Sequence, residues 1–154
     1  MKHEILFLGK IKDTFISAGV DEYISRIRHY TSVDIRILKE KSRGRRKDAA
    51  IHDQGELLLQ AVPGGAYTIV LDSRGQQFES EAFAKKIEEL ELRGIKQASY
   101  LIGGPDGLSP AVVNAADLVL SISKMTFTHD MIRLLLAEQL YRAYTILAGE
   151  KYHK

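Results

Sequence analysis

"LIGGPDGLSP", residues 101–110, ends an apolar run on three glycines and two prolines, in a chain of 154 residues that has 12 glycines and 3 prolines in all. The residues before it, Ala98 to Ile102, read as a strand, and Pro110 to Ala116 after it as a short helix. Pro110 suits a first helical position, where its missing N–H would be unsatisfied anyway, and Ser109 is the expected N-cap. Gly103, Gly104 and Gly107 remove the Cβ atoms that would hold a ligand or another chain segment away from the backbone. In open parallel sheets, ligands bind beyond the carboxyl ends of strands, where this loop lies. A tight strand-to-helix turn with no ligand remains the plain structural alternative. A phosphate cradle is disfavoured, because the proline gives up a donor at the helix start. Neither G-x-G-x-x-G nor G-x-x-x-x-G-K-[ST] occurs, so the common dinucleotide and nucleoside triphosphate motifs are absent.

Outward from the loop, strands alternate with helices. Residues 1–9, with Ile5 to Leu8 ending at Gly9, read as a buried strand; Asp13 or Thr14 caps a helix to about Tyr30; Val33 to Leu38 is a second, more exposed strand. A helix from Ala49 to Val62 stops at Pro63-Gly64-Gly65, and Ala66 to Leu71 follows as an interior strand. Glu81 to Arg93 is a helix closed by Gly94, Leu118 to Ile122 a further strand, and Thr128 to Ala148 a long last helix. The alternation predicts an α/β fold, a mostly parallel sheet with flanking helices, in a single domain over residues 1–154.

Composition narrows the function. The chain has no cysteine, which removes disulfides, thiolate metal sites and cysteine nucleophiles together. No metal is expected. No apolar run reaches membrane-spanning length and no signal-peptide cleavage site follows the N-terminus, so a cytoplasmic protein without membrane contact is expected. The net charge of +2 gives no whole-chain argument for nucleic acid. Only "KEKSRGRRK", residues 39–47, concentrates charge: Lys39, Lys41, Arg43, Arg45, Arg46 and Lys47 around Gly44 are either a solvated loop or a phosphate-following segment.

From Met131 to Ala148 the last helix is apolar on nearly all sides, which predicts burial on two faces and a two-fold homodimer. Glu138 and Arg142 are spaced i and i+4, first of all a helical ion pair, with Arg142 facing a substrate as the alternative. The tail "KYHK" places a stacking ring, Tyr152, a titratable ring, His153, and a cation, Lys154, where fraying is the ordinary expectation.

"LIGGPDGLSP", "LSISKMTFTHDMIRLLLAEQLYRAYTIL" and the terminal "YHK" together resemble the RlmH family of SPOUT-class methyltransferases, with Asp106 where that family usually has glutamate. The resemblance covers essentially the whole chain. It implies a C-terminal trefoil knot and methylation of N3 of a pseudouridine in bacterial 23S ribosomal RNA on assembled ribosomes, with S-adenosylmethionine as donor. It places cofactor contacts on Leu71, on Gly103 and on Ile122, Ser123, Lys124, Met125, Thr126 and Phe127. Three strand-end loops would converge there, and Ile122, Met125 and Phe127 offer apolar surface for adenine. The tail would complete the active site of the neighbouring subunit, so that Arg142, Tyr152 and His153 join His129 as candidate catalytic residues. Both histidines are candidate proton acceptors for the N3–H. A non-catalytic, ribosome-associated RNA-binding protein with the same fold is the alternative.

Overall fold

Strand β1 (Lys2–Leu8) is buried from His3 to Leu8, a continuous run rather than an alternation, because it has a strand on each side and helices over both faces. The computed structural model describes residues 1–39 and 46–153, with the backbone alone at His153. In chain order the further elements are α1 (Thr14–Ile27), β2 (Val33–Leu38), α2 (Lys47–Ala61), β3 (Tyr67–Gln76), α3 (Ser80–Leu92), β4 (Gln97–Ile102), α4 (Pro110–Asn114), β5 (Leu118–Leu120) and α5 (His129–Leu147), with a short 3-10 turn at Lys151–His153. The five strands lie in the order β2-β1-β4-β3-β5, every pairing parallel. All their carboxyl ends therefore share one edge.

Alternate residues of each strand feed two cores. Ile5, Phe7, Ile69, Tyr100 and Ile102 pack with α1, α3 and α5. Leu6, Leu8, Val70 and Leu101 pack with Leu58 and Ala61 of α2 and Val112 of α4. Edge strand β2 buries Val33 and leaves much of the rest uncovered, as its alternating charges predict.

Four local expectations are corrected. Helix α1 ends at Ile27, with residues 28–30 in a turn, rather than at about Tyr30; of the two caps expected for it Asp13 is the one used, its Oδ1 accepting from the N–H groups of Phe15 (2.8 Å) and Ile16 (3.1 Å). Ser109 holds the N-cap position of α4, but its side chain caps no N–H. It is buried against α2, so close that a Cβ on Gly55 would lie 2.4 Å from its Oγ. Strand β5 stops at Leu120, two residues early. Strand β3 runs five residues past Leu71: Leu71 and Gln76 both pair with Leu120, so Asp72 to Gly75 loop out and the chain returns to the same partner. That return needs Gly75, where a Cβ would meet the Val119 carbonyl oxygen at 2.5 Å. Lys41, Arg43, Gly44 and Arg45 of the basic segment, and Lys154 of the tail, lie outside the described residues.

Candidate functional site

The loops leaving β3, β4 and β5 surround an open cleft of about 830 Å³ at the carboxyl edge of the sheet. From β3 come Leu71, Asp72, Ser73 and Arg74; from the glycine loop, Gly103 to Pro105, Gly107 and Leu108; from the segment before α5, Ile122, Ser123 and Met125 to Thr128. His129 and Ile132, on the first turn of α5, close the wall.

Each wall has a local cause. The glycine loop folds back on itself through a bridge between Gly104 and Gly107, and Gly107 has φ +90, which only glycine adopts freely. The β5–α5 segment is pinned by Ser121, whose Oγ lies 3.1 Å from the Ser73 carbonyl and 2.9 Å from that of Ser123. The N–H of Met125 donates to Ser123 Oγ (3.0 Å), and Thr128 Oγ1 caps α5 by accepting from the N–H of Met131 (3.3 Å). Met125 and Phe127 thus stand at the mouth with their apolar side chains exposed, 74% and 42%. Uncovered apolar groups rimming a cleft mark a surface that gains from being covered. Arg74 hydrogen-bonds both oxygens of Asp72 (2.9 and 2.8 Å) and holds that carboxylate below its ordinary range.

Seven of the eight residues expected to contact cofactor line this cleft: Leu71, Gly103, Ile122, Ser123, Met125, Thr126 and Phe127. Lys124 is not among the lining residues. Of the three candidate catalytic residues whose side chains are described, His129, Arg142 and Tyr152, His129 lines it; its Nε2 is 3.4 Å from Asp130 Oδ1. Sequence reasoning missed Asp72 and Arg74, because the strand was taken to end at Leu71; the turn-forming "DSRG" after the apolar run was the available signal.

Arg142 and Tyr152 lie elsewhere. Arg142 is ten residues along α5 from Ile132, about 15 Å at the helical rise. Its Nε donates to Glu138 Oε1 (2.9 Å) and a second nitrogen reaches the same oxygen, so the ion pair forms and raises the guanidinium pKa. The Tyr152 hydroxyl lies 3.3 Å from both Glu138 Oε1 and the Tyr23 hydroxyl, its ring meets Tyr141 edge-on at 4.7 Å, and the Arg142 guanidinium sits 5.0 Å from its centroid. Burial, with those contacts, pushes its phenol pKa up. The tail is therefore docked through Tyr152 rather than frayed, which no periodicity could signal. Within one chain the cleft and this cluster are separate.

A parallel α/β sheet with a ligand-sized cleft where three loops meet defines a small-molecule-binding class, and the comparisons with known proteins make the class specific. Residues 1–153 match the family described as "Predicted SPOUT methyltransferase". The chain belongs to that family. It is 57% identical to the Ribosomal RNA large subunit methyltransferase H of Desulfotalea psychrophila and 43% identical to that of Halothermothrix orenii, over the full length of both chains in each comparison. In fold it is similar to a probable methyltransferase from Bordetella pertussis, with TM-score 0.59 and 11% identity over 93% of this chain and 96% of that one. A probable methylase family protein from Haemophilus influenzae gives TM-score 0.58 and 13% identity, over 99% of this chain and 70% of that one.

Proposed function

We propose that this protein transfers a methyl group from S-adenosylmethionine to N3 of a pseudouridine in 23S ribosomal RNA, acting on assembled ribosomes in the cytoplasm as a homodimer of one domain, residues 1–154, with a C-terminal trefoil knot. The observation that carries the reading is the cleft at the carboxyl edge of β3, β4 and β5, with its uncovered Met125 and Phe127. The two relatives named for ribosomal RNA methylation supply the substrate class.

The residues present fit the cofactor. The volume falls in the roughly 300–1,000 Å³ range of small-molecule sites. Leu71, Ile122, Met125 and Phe127 would cover the adenine, while backbone groups of Gly103 and the Ser123–Thr126 segment read its polar edge. Asp72, kept ionised by Arg74, offers carboxylate oxygens at the cleft wall as hydrogen-bond acceptors for the ligand's donors. When bound, S-adenosylmethionine supplies a methyl group on a sulfonium that departs as a neutral thioether. The protein's work is then to align the acceptor for in-line attack and to accept the N3 proton. His129, at the cleft wall, and His153 of the tail are the residues assigned to the proton. Arg142 and Tyr152 hold the tail in the position from which it completes the partner's site. The basic segment around Lys39, Arg46 and Lys47 leaves the same edge of the sheet, and Lys47 reaches Asp106 of the glycine loop (3.1 Å), which supports a phosphate-contacting role beside the cleft.

The test is incubation with labelled S-adenosylmethionine and intact ribosomes lacking the modification, then digestion and mass spectrometry. Labelled N3-methylpseudouridine is the expected product. Cofactor binding without product would move the reading to another RNA target, and loss of both would favour a non-catalytic RNA-binding protein.

A further inference from the structure

We propose that the loop joining β1 to α1, residues 9–13, together with the first turn of α1, contacts the RNA strand that carries the target nucleotide, Phe15 stacking on an unpaired base and Lys10 and Lys12 taking phosphates beside it. This deepens the ribosomal RNA reading above and rests on it.

Since every strand runs parallel, the loop leaves the sheet at the edge that holds the cleft. It is fastened there. Arg133 of α5, 1% exposed, donates to the Leu8 carbonyl (2.7 Å) and the Gly9 carbonyl (3.4 Å), and its guanidinium lies over the Phe7 ring at 3.9 Å. Asp130 accepts from Arg133 through Oδ1 (2.8 Å) and from the N–H of Lys12 through Oδ2 (3.4 Å). Asp130 follows His129 in sequence, so the loop is tied to the residue next to the cleft wall.

From this base Phe15 stands 79% exposed in the first turn of α1. Water is a poor environment for such a ring, and Asp13, which accepts from its N–H, keeps it presented. Lys10 and Lys12 are exposed, and among the described residues neither has an ion-pair partner. Asp13 is engaged in the helix cap, which leaves the loop's outward charge positive. An aromatic face beside two exposed cations is the chemistry that holds single-stranded nucleic acid without reading its sequence, and single-stranded RNA offers its bases for stacking.

Methylation kinetics on unmodified ribosomes would be measured for the full chain and for Phe15→Ala, Phe15→Trp and the double variant Lys10→Ala/Lys12→Ala, with S-adenosylmethionine affinity by calorimetry and size by sedimentation. The expected result is a KM for ribosomes raised about 10-fold or more in Phe15→Ala. Cofactor affinity and sedimentation should stay unchanged, and Phe15→Trp should recover the KM. The lysine variant should lower the salt slope of RNA binding by about 1.4 for two phosphates. An unchanged KM, or a changed sedimentation of Phe15→Ala showing that a second copy covers the ring, overturns the proposal. If the wild-type protein methylates no ribosomal RNA, the functional reading fails separately. Binding of a labelled single-stranded RNA oligonucleotide then decides the loop, and equal affinities of wild type and Phe15→Ala overturn it.

Discussion

Glu91 can only accept, so the Tyr144 hydroxyl donates to it (2.9 Å) and must itself accept from His3 Nε2–H (2.7 Å), which leaves His3 Nδ1 to accept from the Tyr100 hydroxyl (3.0 Å). The network is satisfied only by a neutral imidazole. Burial, helped by the N-terminal ammonium, pushes His3 down from 6.5 to about 3. The folded pKa is thus depressed: below about 6.5 the unfolded chain takes up a proton that the native state refuses, so stability falls as pH drops through the window from 6.5 towards 3. Between pH 7 and pH 5 the protein should lose about 2 kcal/mol from this residue, read as a lower urea midpoint. His3→Gln, which retains hydrogen-bonding capacity without titrating, should flatten that dependence while lowering stability at pH 7; an equally steep profile would show that other groups set it.

Elements meet at two places where backbone, not side chain, sets the tolerance. Gly75 lies against the Val119 carbonyl of β5, which cannot move without breaking the β3–β5 pairing, so Gly75→Ala should destabilise by about 2 kcal/mol in urea denaturation. Gly64, with nothing within 4 Å of its would-be Cβ and no positive φ, is the matched control, and Gly64→Ala should be neutral or slightly stabilising. Arg133 joins α5 to the end of β1. Arg133→Met, similar in length but without donors, leaves the Leu8 carbonyl buried and unpaired and should also lower stability by about 2 kcal/mol. A change under 0.5 kcal/mol would mean that water replaces the guanidinium there.

At the scale of the molecule, α5 packs its buried face on α1 and α3, and from Met131 to Leu147 none of its residues is fully exposed, with Leu134, Leu135, Ile146 and Leu147 only partly covered. Covering that remainder by a second copy is the expected state, read as a dimer by ultracentrifugation at micromolar concentration. The distance along α5 between cleft and tail makes the proposed dimer testable through the tail. A chain truncated after Gly149 should bind S-adenosylmethionine with unchanged affinity, since among the described residues none beyond Ile132 lines the cleft, yet should lose methylation. Calorimetry and a ribosome methylation assay would check the pair, and full turnover by the truncated chain would remove the tail from the site.

Much of this was legible in the sequence because it is written locally. The strand–helix alternation, the turn glycines and the i, i+4 pair of Glu138 with Arg142 depend on neighbours in the chain, and strand ends with family motifs pointed to eight residues of which seven line the cleft. Tertiary structure alone decided the rest. That β3 loops out at Asp72 and returns at Gln76 depends on β5, more than forty residues later in the chain. That Ser109 packs on Gly55 instead of capping depends on how closely α2 approaches α4. That Tyr152 docks on Tyr23, Glu138 and Tyr141 depends on α1 and α5 lying side by side. Periodicity records which face of an element is apolar; it carries no information on which distant element will cover that face, and the separation of cleft from tail follows from that choice.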